Sequence, residues 1–156
     1  MSLESVKEWL ATRAPDLRLI EVEESTATVD AAASALGVAP GQIAKTLAVR
    51  AGEHLFLLVT RGNARLDNRK CKDELKARPR MLDAEETFEL TGHPVGGVCP
   101  FGLKSPLPVY FDVSLQAFDM TCGWSRRIVR WPSCNGGRAA VSAFHCAAMR
   151  LAFLRS

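Results

Sequence analysis

Acidic residues stop at Asp119. From Thr121 to Ser156 the chain has no Asp, no Glu and no Lys, yet it carries six arginines, at 126, 127, 130, 138, 150 and 155. Taking those six from the 20 Lys and Arg of the whole chain leaves 14 bases against 17 acids in residues 1–120, a net of −3. The overall charge of +3 therefore comes from the tail, and the body is mildly acidic. Other absences set further limits. No apolar run approaches the ~20 residues that span a bilayer, so no membrane partner is expected. The start, Met-Ser-Leu-Glu-Ser-Val-Lys-Glu, is polar and acidic, unlike a secretory signal. The five cysteines, at 71, 99, 122, 134 and 146, form no Cys-x-x-Cys pair. An odd count without a signal predicts free thiols in a reducing, cytoplasmic setting. His54, His93 and His145 are scattered with no paired ligand spacing, so neither a metal nor a cofactor is expected. There is no phosphate-binding Gly-x-x-x-x-Gly-Lys-Ser, no Gly-x-Ser-x-Gly elbow, no internal repeat and no low-complexity segment.

What is present suits one globular domain. The chain has 156 residues, 47% hydrophobic and 24% charged, which is ordinary for a single core. Leu3, Val6, Trp9 and Leu10 fall on one stripe and predict a helix over 2–13, ended by Pro15. A short strand follows at 17–22. Thr28 caps a helix over 29–36, and Gly37 stops it. Two strands at about 45–50 and 54–60, linked by Ala51-Gly52-Glu53, read as a hairpin. A helix over 68–76 carries Arg69, Lys70, Lys72 and Lys76, either an ordinary wet face or a contact for RNA phosphates. Asp83 with Glu86 three residues on is a capping-box pattern for a helix over 84–91, which Gly92 stops. A strand at 107–111 ends on Asp112. The order lacks strict βαβ alternation, so the expected class is α/β of the α+β type with a mixed sheet.

Two stretches carry the chemistry. Residues 92–103, Gly-His-Pro-Val-Gly-Gly-Val-Cys-Pro-Phe-Gly-Leu, form a stiff loop with bare backbone, suited to close approach of a ligand. In the second stretch, Lys45 enters an apolar segment that runs to Val49. A lysine there must snorkel or meet an anion. Cys99 lies inside the loop, but no general-base partner is visible for it.

Together Gly-Gln-Ile-Ala-Lys-Thr-Leu (41–47), Leu-Leu-Val-Thr-Arg-Gly (57–62), the glycine loop and Val-Tyr-Phe-Asp-Val-Ser-Leu (109–115) resemble the YbaK family, the prolyl-tRNA-editing-like domains that deacylate mischarged tRNA. The resemblance implies a curved mixed sheet flanked by short helices, with the site between loop and lysine. It implies ester hydrolysis without a protein nucleophile, helped by the substrate's own terminal hydroxyl. On that basis the N–H groups of Gly96, Gly97 and Val98 form an oxyanion hole, and Lys45 holds phosphate or ribose oxygens. Thr26 and Thr46 offer hydroxyls to the amino acid, Pro100, Phe101 and Gly102 line the substrate, and Asp112 orients a site group or the amine. The implied partner is the acceptor end of an aminoacyl-tRNA carrying Ser, Thr, Ala or Cys, with a synthetase as a further partner and no DNA. The alternative is a catalytically silent module that binds tRNA or a synthetase.

The likeness covers residues 1–120. Residues 121–156 are expected to be an atypical basic segment, disordered over 121–140, so that the sheet lacks its usual last strands. A reading-frame slip would produce this break; an RNA-binding arm would as well.

Overall fold

The computed structural model describes residues 2–13, 15, 18–21, 28–66, 68–112, 115, 120–123, 127–132 and 153–154. Helix α1 spans Ser2–Arg13, followed by strand β1, Arg18–Glu21. Helix α2 is Val29–Leu36. The Thr28 hydroxyl accepts from the Ala31 N–H at 3.1 Å, and Gly37 ends the helix at φ 64°. A single 3-10 turn, Pro40–Gln42, follows, and Gln42 Oε1 accepts from the Ala39 N–H at 3.0 Å. That turn delivers β2, Ile43–Ala51, which pairs antiparallel with β3, His54–Arg61. Gly52, at φ 60°, occupies the first position of the two-residue turn between them, an angle that suits a type II′ hairpin. Helix α3 (Asn68–Leu75), β4 (Pro79–Met81), helix α4 (Ala84–Thr91) and β5 (Val109–Asp112) come next, then β6 (Met120–Gly123), β7 (Arg127–Pro132) and β8 (Phe153–Leu154).

The described strands form one mixed sheet in the order β1-β7-β6-β2-β3-β5-β8, with β4 lying against the far end of β2. The β2–β6, β3–β5 and β5–β8 pairs are parallel, and the rest are antiparallel. The expected class holds. The expectation that the sheet lacks its last strands does not, because β6 and β7 continue it from β2 to β1. The misreading has a physical source. Absence of acids bears on solubility, whereas strand pairing needs β-branched and aromatic residues, which Ile128, Val129 and Trp131 supply.

Strand alternation divides the core into two faces. Ala44 and Ala48 of β2, Leu57 and Val59 of β3, and Val109 and Phe111 of β5 pack on one side with Val6 and Leu10 of α1 and with Val98, Cys99 and Phe101 of the glycine loop. On the other side Val49, Ala51, Phe56 and Leu58 meet Leu66 and Ala77, and Ile43 meets Ala32 and Ala33 of α2.

Candidate active site

The glycine loop is a closed loop on the end of α4. Gly92 takes the left-handed angle, φ 76°, and its N–H donates to the Phe88 carbonyl at 2.8 Å. After the loop the chain returns to the same helix end. The N–H groups of Lys104 and Ser105 donate to the carbonyls of Thr91 and Leu90 at 3.1 and 3.0 Å. The last carbonyls of α4 are thus satisfied by the far side of the loop. Inside, His93 pins the ring shut, with Nε2 3.1 Å from the Phe101 carbonyl. The His93 backbone N–H donates to the Thr91 hydroxyl at 3.0 Å, and that hydroxyl in turn donates to the Thr87 carbonyl at 2.6 Å. Burial lowers the pKa of His93, and the Phe101 hydrogen bond opposes that only in part. It is therefore a neutral structural pin, a role that sequence spacing gave no sign of.

The tip is a turn. The Gly97 N–H donates to the Pro94 carbonyl at 2.9 Å, with Gly96 between them at φ 86°. That bond takes Gly97 out of the expected oxyanion donors. Among the described residues the N–H groups of Gly96 and Val98 make no such bond. Pro94, Val95 and Gly96 are exposed, while Val98, Cys99 and Pro100 are buried.

Three expected ligand contacts are packing positions. Phe101 has no exposed surface and its ring lies 4.9 Å from that of Trp9. A Cβ on Gly102, which sits at φ 63°, would come within 2.7 Å of the Ser5 carbonyl group, so glycine there lets the loop lie on the α1 backbone. Pro100 is buried beside them. The substrate-lining role expected of these three gives way to anchoring the loop. Cys99 is equally enclosed. Burial pushes its thiol up to about 12, so it is not a thiolate near neutral pH.

Lys45 is positioned differently. It sits three residues into β2, half-buried, opposite Thr60 in register. Its Nζ donates to the Ala64 carbonyl. Burial lowers its pKa, and the neighbouring Arg65 guanidinium adds to the effect. Alternation places Lys45 and Thr60 on the face of Leu58 and Val49, where Asp112, fully buried at the end of β5, also belongs. Thr46 lies on the opposite face, the one that receives the glycine loop. The structure thus groups Lys45 with Asp112, and Thr46 with Val98. Thr26 lies outside the described residues. Sequence reasoning missed Thr60, whose hydroxyl is buried without a hydrogen-bond partner, and Arg65. The β2–β3 register, had it been known, would have found Thr60, which it sets opposite Lys45.

A mixed sheet with short helices, a glycine loop pinned to a helix end and a half-buried lysine beside an arginine define a class of small mixed-sheet α/β domain. Sequence comparison makes the class definite. Residues 23–127 match the family Aminoacyl-tRNA editing domain. The Bacillus subtilis (strain 168) protein YwhH is 38% identical over 142 residues, taking in 90% of this chain and 85% of its own length. The proline–tRNA ligase of Shouchella clausii (strain KSM-K16) is 34% identical over 113 residues, which is 71% of this chain but only 20% of that enzyme. Among solved structures, a proposed trans-editing enzyme for prolyl tRNA synthetase superposes with a TM-score of 0.82 at 30% identity, covering 98% of this chain and 96% of the other. The chain belongs to the aminoacyl-tRNA editing domain family. The YwhH match takes in too much of the chain to stop at Met120, so the likeness does not end where the composition breaks.

Proposed function

We propose that the chain is a free-standing deacylase that hydrolyses the ester of tRNA mischarged with a small amino acid. The carrying observation is a half-buried Lys45 beside an exposed Arg65, with no carboxylate paired to either among the described residues. An ammonium has three donors, and only one is spent on Ala64. A phosphate of the acceptor end would take the others and relieve the repulsion between the two cations. Family membership supplies the substrate class.

The chemistry fits water as the nucleophile. The Cys99 thiol is enclosed and protonated, and His93 is held by a backbone carbonyl. What remains on the Lys45 face for the transition state is charge stabilisation by Lys45; the bare N–H groups at Gly96 and Val98 belong to the loop packed on the opposite face. Removing one oxyanion donor in other hydrolases costs about 10²–10³ in rate, so a site of this kind can work without an acid–base pair.

The test is release of amino acid from a panel of misacylated tRNAs carrying Ser, Thr, Ala or Cys. Lys45→Ala should abolish turnover and leave the unfolding midpoint in place; near-normal turnover would sink the assignment. Gly97→Ala tests the loop separately. Its Cβ would meet Pro94 at an ordinary 3.6 Å, so the fold should be unaffected. Lost turnover there reports a ligand lying on the turn, and full turnover confines the loop to packing. Failure of the whole panel to react with wild-type protein would favour a silent module that binds tRNA.

A further inference from the structure

We propose, building on the deacylase reading, that α3 and the turn before it form a docking surface for the phosphate backbone of the RNA acceptor stem. The surface begins at the candidate site, where Lys45 holds the Ala64 carbonyl and Arg65 stands beside it. It ends at the hairpin turn, where Ala77 packs with Phe56 and Val49 and a Cβ on Gly52 would meet that of Ala77 at 3.6 Å. Residues 64–77 therefore run the length of β2 from Lys45 to the turn, roughly 20 Å at ~3.3 Å per strand residue.

The helix turns Cys71, only 1% exposed, towards the sheet, and this leaves Arg69, Lys72 and Lys76 exposed. Arg65, Lys72 and Lys76 make no ion pair among the described residues, whereas Arg69 has a partner. The segment 65–76 is mixed, with Arg65, Arg69, Lys70, Lys72 and Lys76 against Asp67, Asp73 and Glu74, and carries a modest cationic excess. Helix α4 is the reverse: it holds Glu85, Glu86 and Glu89 and no base. A polyanion entering at Lys45 is drawn along α3 and repelled from α4.

Lys76 adds an independent sign. It is the one non-glycine residue at positive φ among the described residues, at 57°. Glycine or asparagine usually takes that place at a helix end. A lysine there is held against the backbone's preference, which points to a use for its charge.

The probe is a hairpin RNA copying an acceptor stem and ending in CCA. Lys72→Gln/Lys76→Asn should weaken its binding roughly tenfold at moderate salt. The slope of log affinity against log salt should flatten by about 1 for each lysine removed. Lys72→Arg/Lys76→Arg should restore both at the wild-type unfolding midpoint. An unchanged affinity and slope would overturn the proposal. So would a double variant that keeps hairpin binding but loses association with a proline–tRNA ligase, because the face would then dock protein. Ester cleavage is scored separately on the aminoacylated hairpin. Wild-type protein that binds through these lysines and never cleaves would end the deacylase reading and leave the surface standing. Cleavage with unaltered binding in the variant would do the opposite.

Discussion

Gly102 illustrates how much one missing carbon can matter. Its Cβ would meet backbone atoms of Ser5 and Val6 at 2.7–2.8 Å, and a helix backbone cannot swing aside as a side chain can. Gly102→Ala should cost about 2 kcal/mol or more, from overpacking plus a left-handed angle that alanine resists. Urea unfolding measures this, and a cost under ~0.5 kcal/mol would show that α1 yields. His93 sets a pH dependence. Its native pKa lies below the ordinary ~6.5, so between those values the unfolded chain binds a proton that the native chain refuses. Its contribution is fully present above about pH 6.5 and is lost as pH falls towards the lowered value. Midpoints taken from pH 8 down to 5 should decline for wild type, and the decline should be shallower in His93→Gln. At Cys99 the raised pKa predicts that iodoacetamide at neutral pH leaves this thiol unlabelled in native protein and labels it after unfolding.

Helix α4 shows which local signals can be trusted. The Asp83 carboxylate accepts from the Glu86 N–H at 2.8 Å, the cap that the sequence implies. Glu86, however, does not complete the box: its side chain pairs with Arg50 at 2.7 Å, on a surface about 40% exposed at both ends. Asp83→Ala should therefore cost about 1 kcal/mol, whereas Glu86→Ala, losing an exposed ion pair, should cost under ~0.5. Equal losses in unfolding would mean that the box is closed in solution. The same contrast explains what could be read in advance. Helices α2 and α4 were legible because Thr28, Gly37, Asp83 and Gly92 act within a few residues of themselves. The hairpin was legible because two apolar runs flank one glycine. Strand β4 was not, because three residues opening with Pro79 carry no alternation. The candidate site was half legible. Lys45 stands out as a cation in an apolar run, but its neighbour Arg65 is set by the connection after β3, which carries no periodicity to read. The packing role of Phe101 and Gly102 depends on α1, nearly a hundred residues away.

At the scale of the whole molecule, β1 has one partner among the described strands, and that partner is β7. Arg18 stands opposite Arg130, so the pairing joins the two ends of the sequence. Truncation after Met120 should accordingly do more than remove the tail. It strips β7 from β1 and β6 from the Ile43–Ala44 edge of β2, and an uncovered edge invites aggregation. Gel filtration should show the truncated chain as soluble aggregate or inclusion material, whereas a monodisperse, cooperatively unfolding product would mean that residues 1–120 stand alone. The same pairing governs how the protein is made. Synthesis runs from the N-terminus at ~5–20 residues per second. β1 leaves the ribosome more than a hundred residues before its partner exists. Until β7 follows, β1 waits as an unpaired strand, and the β6–β7–β1 side of the sheet closes only then.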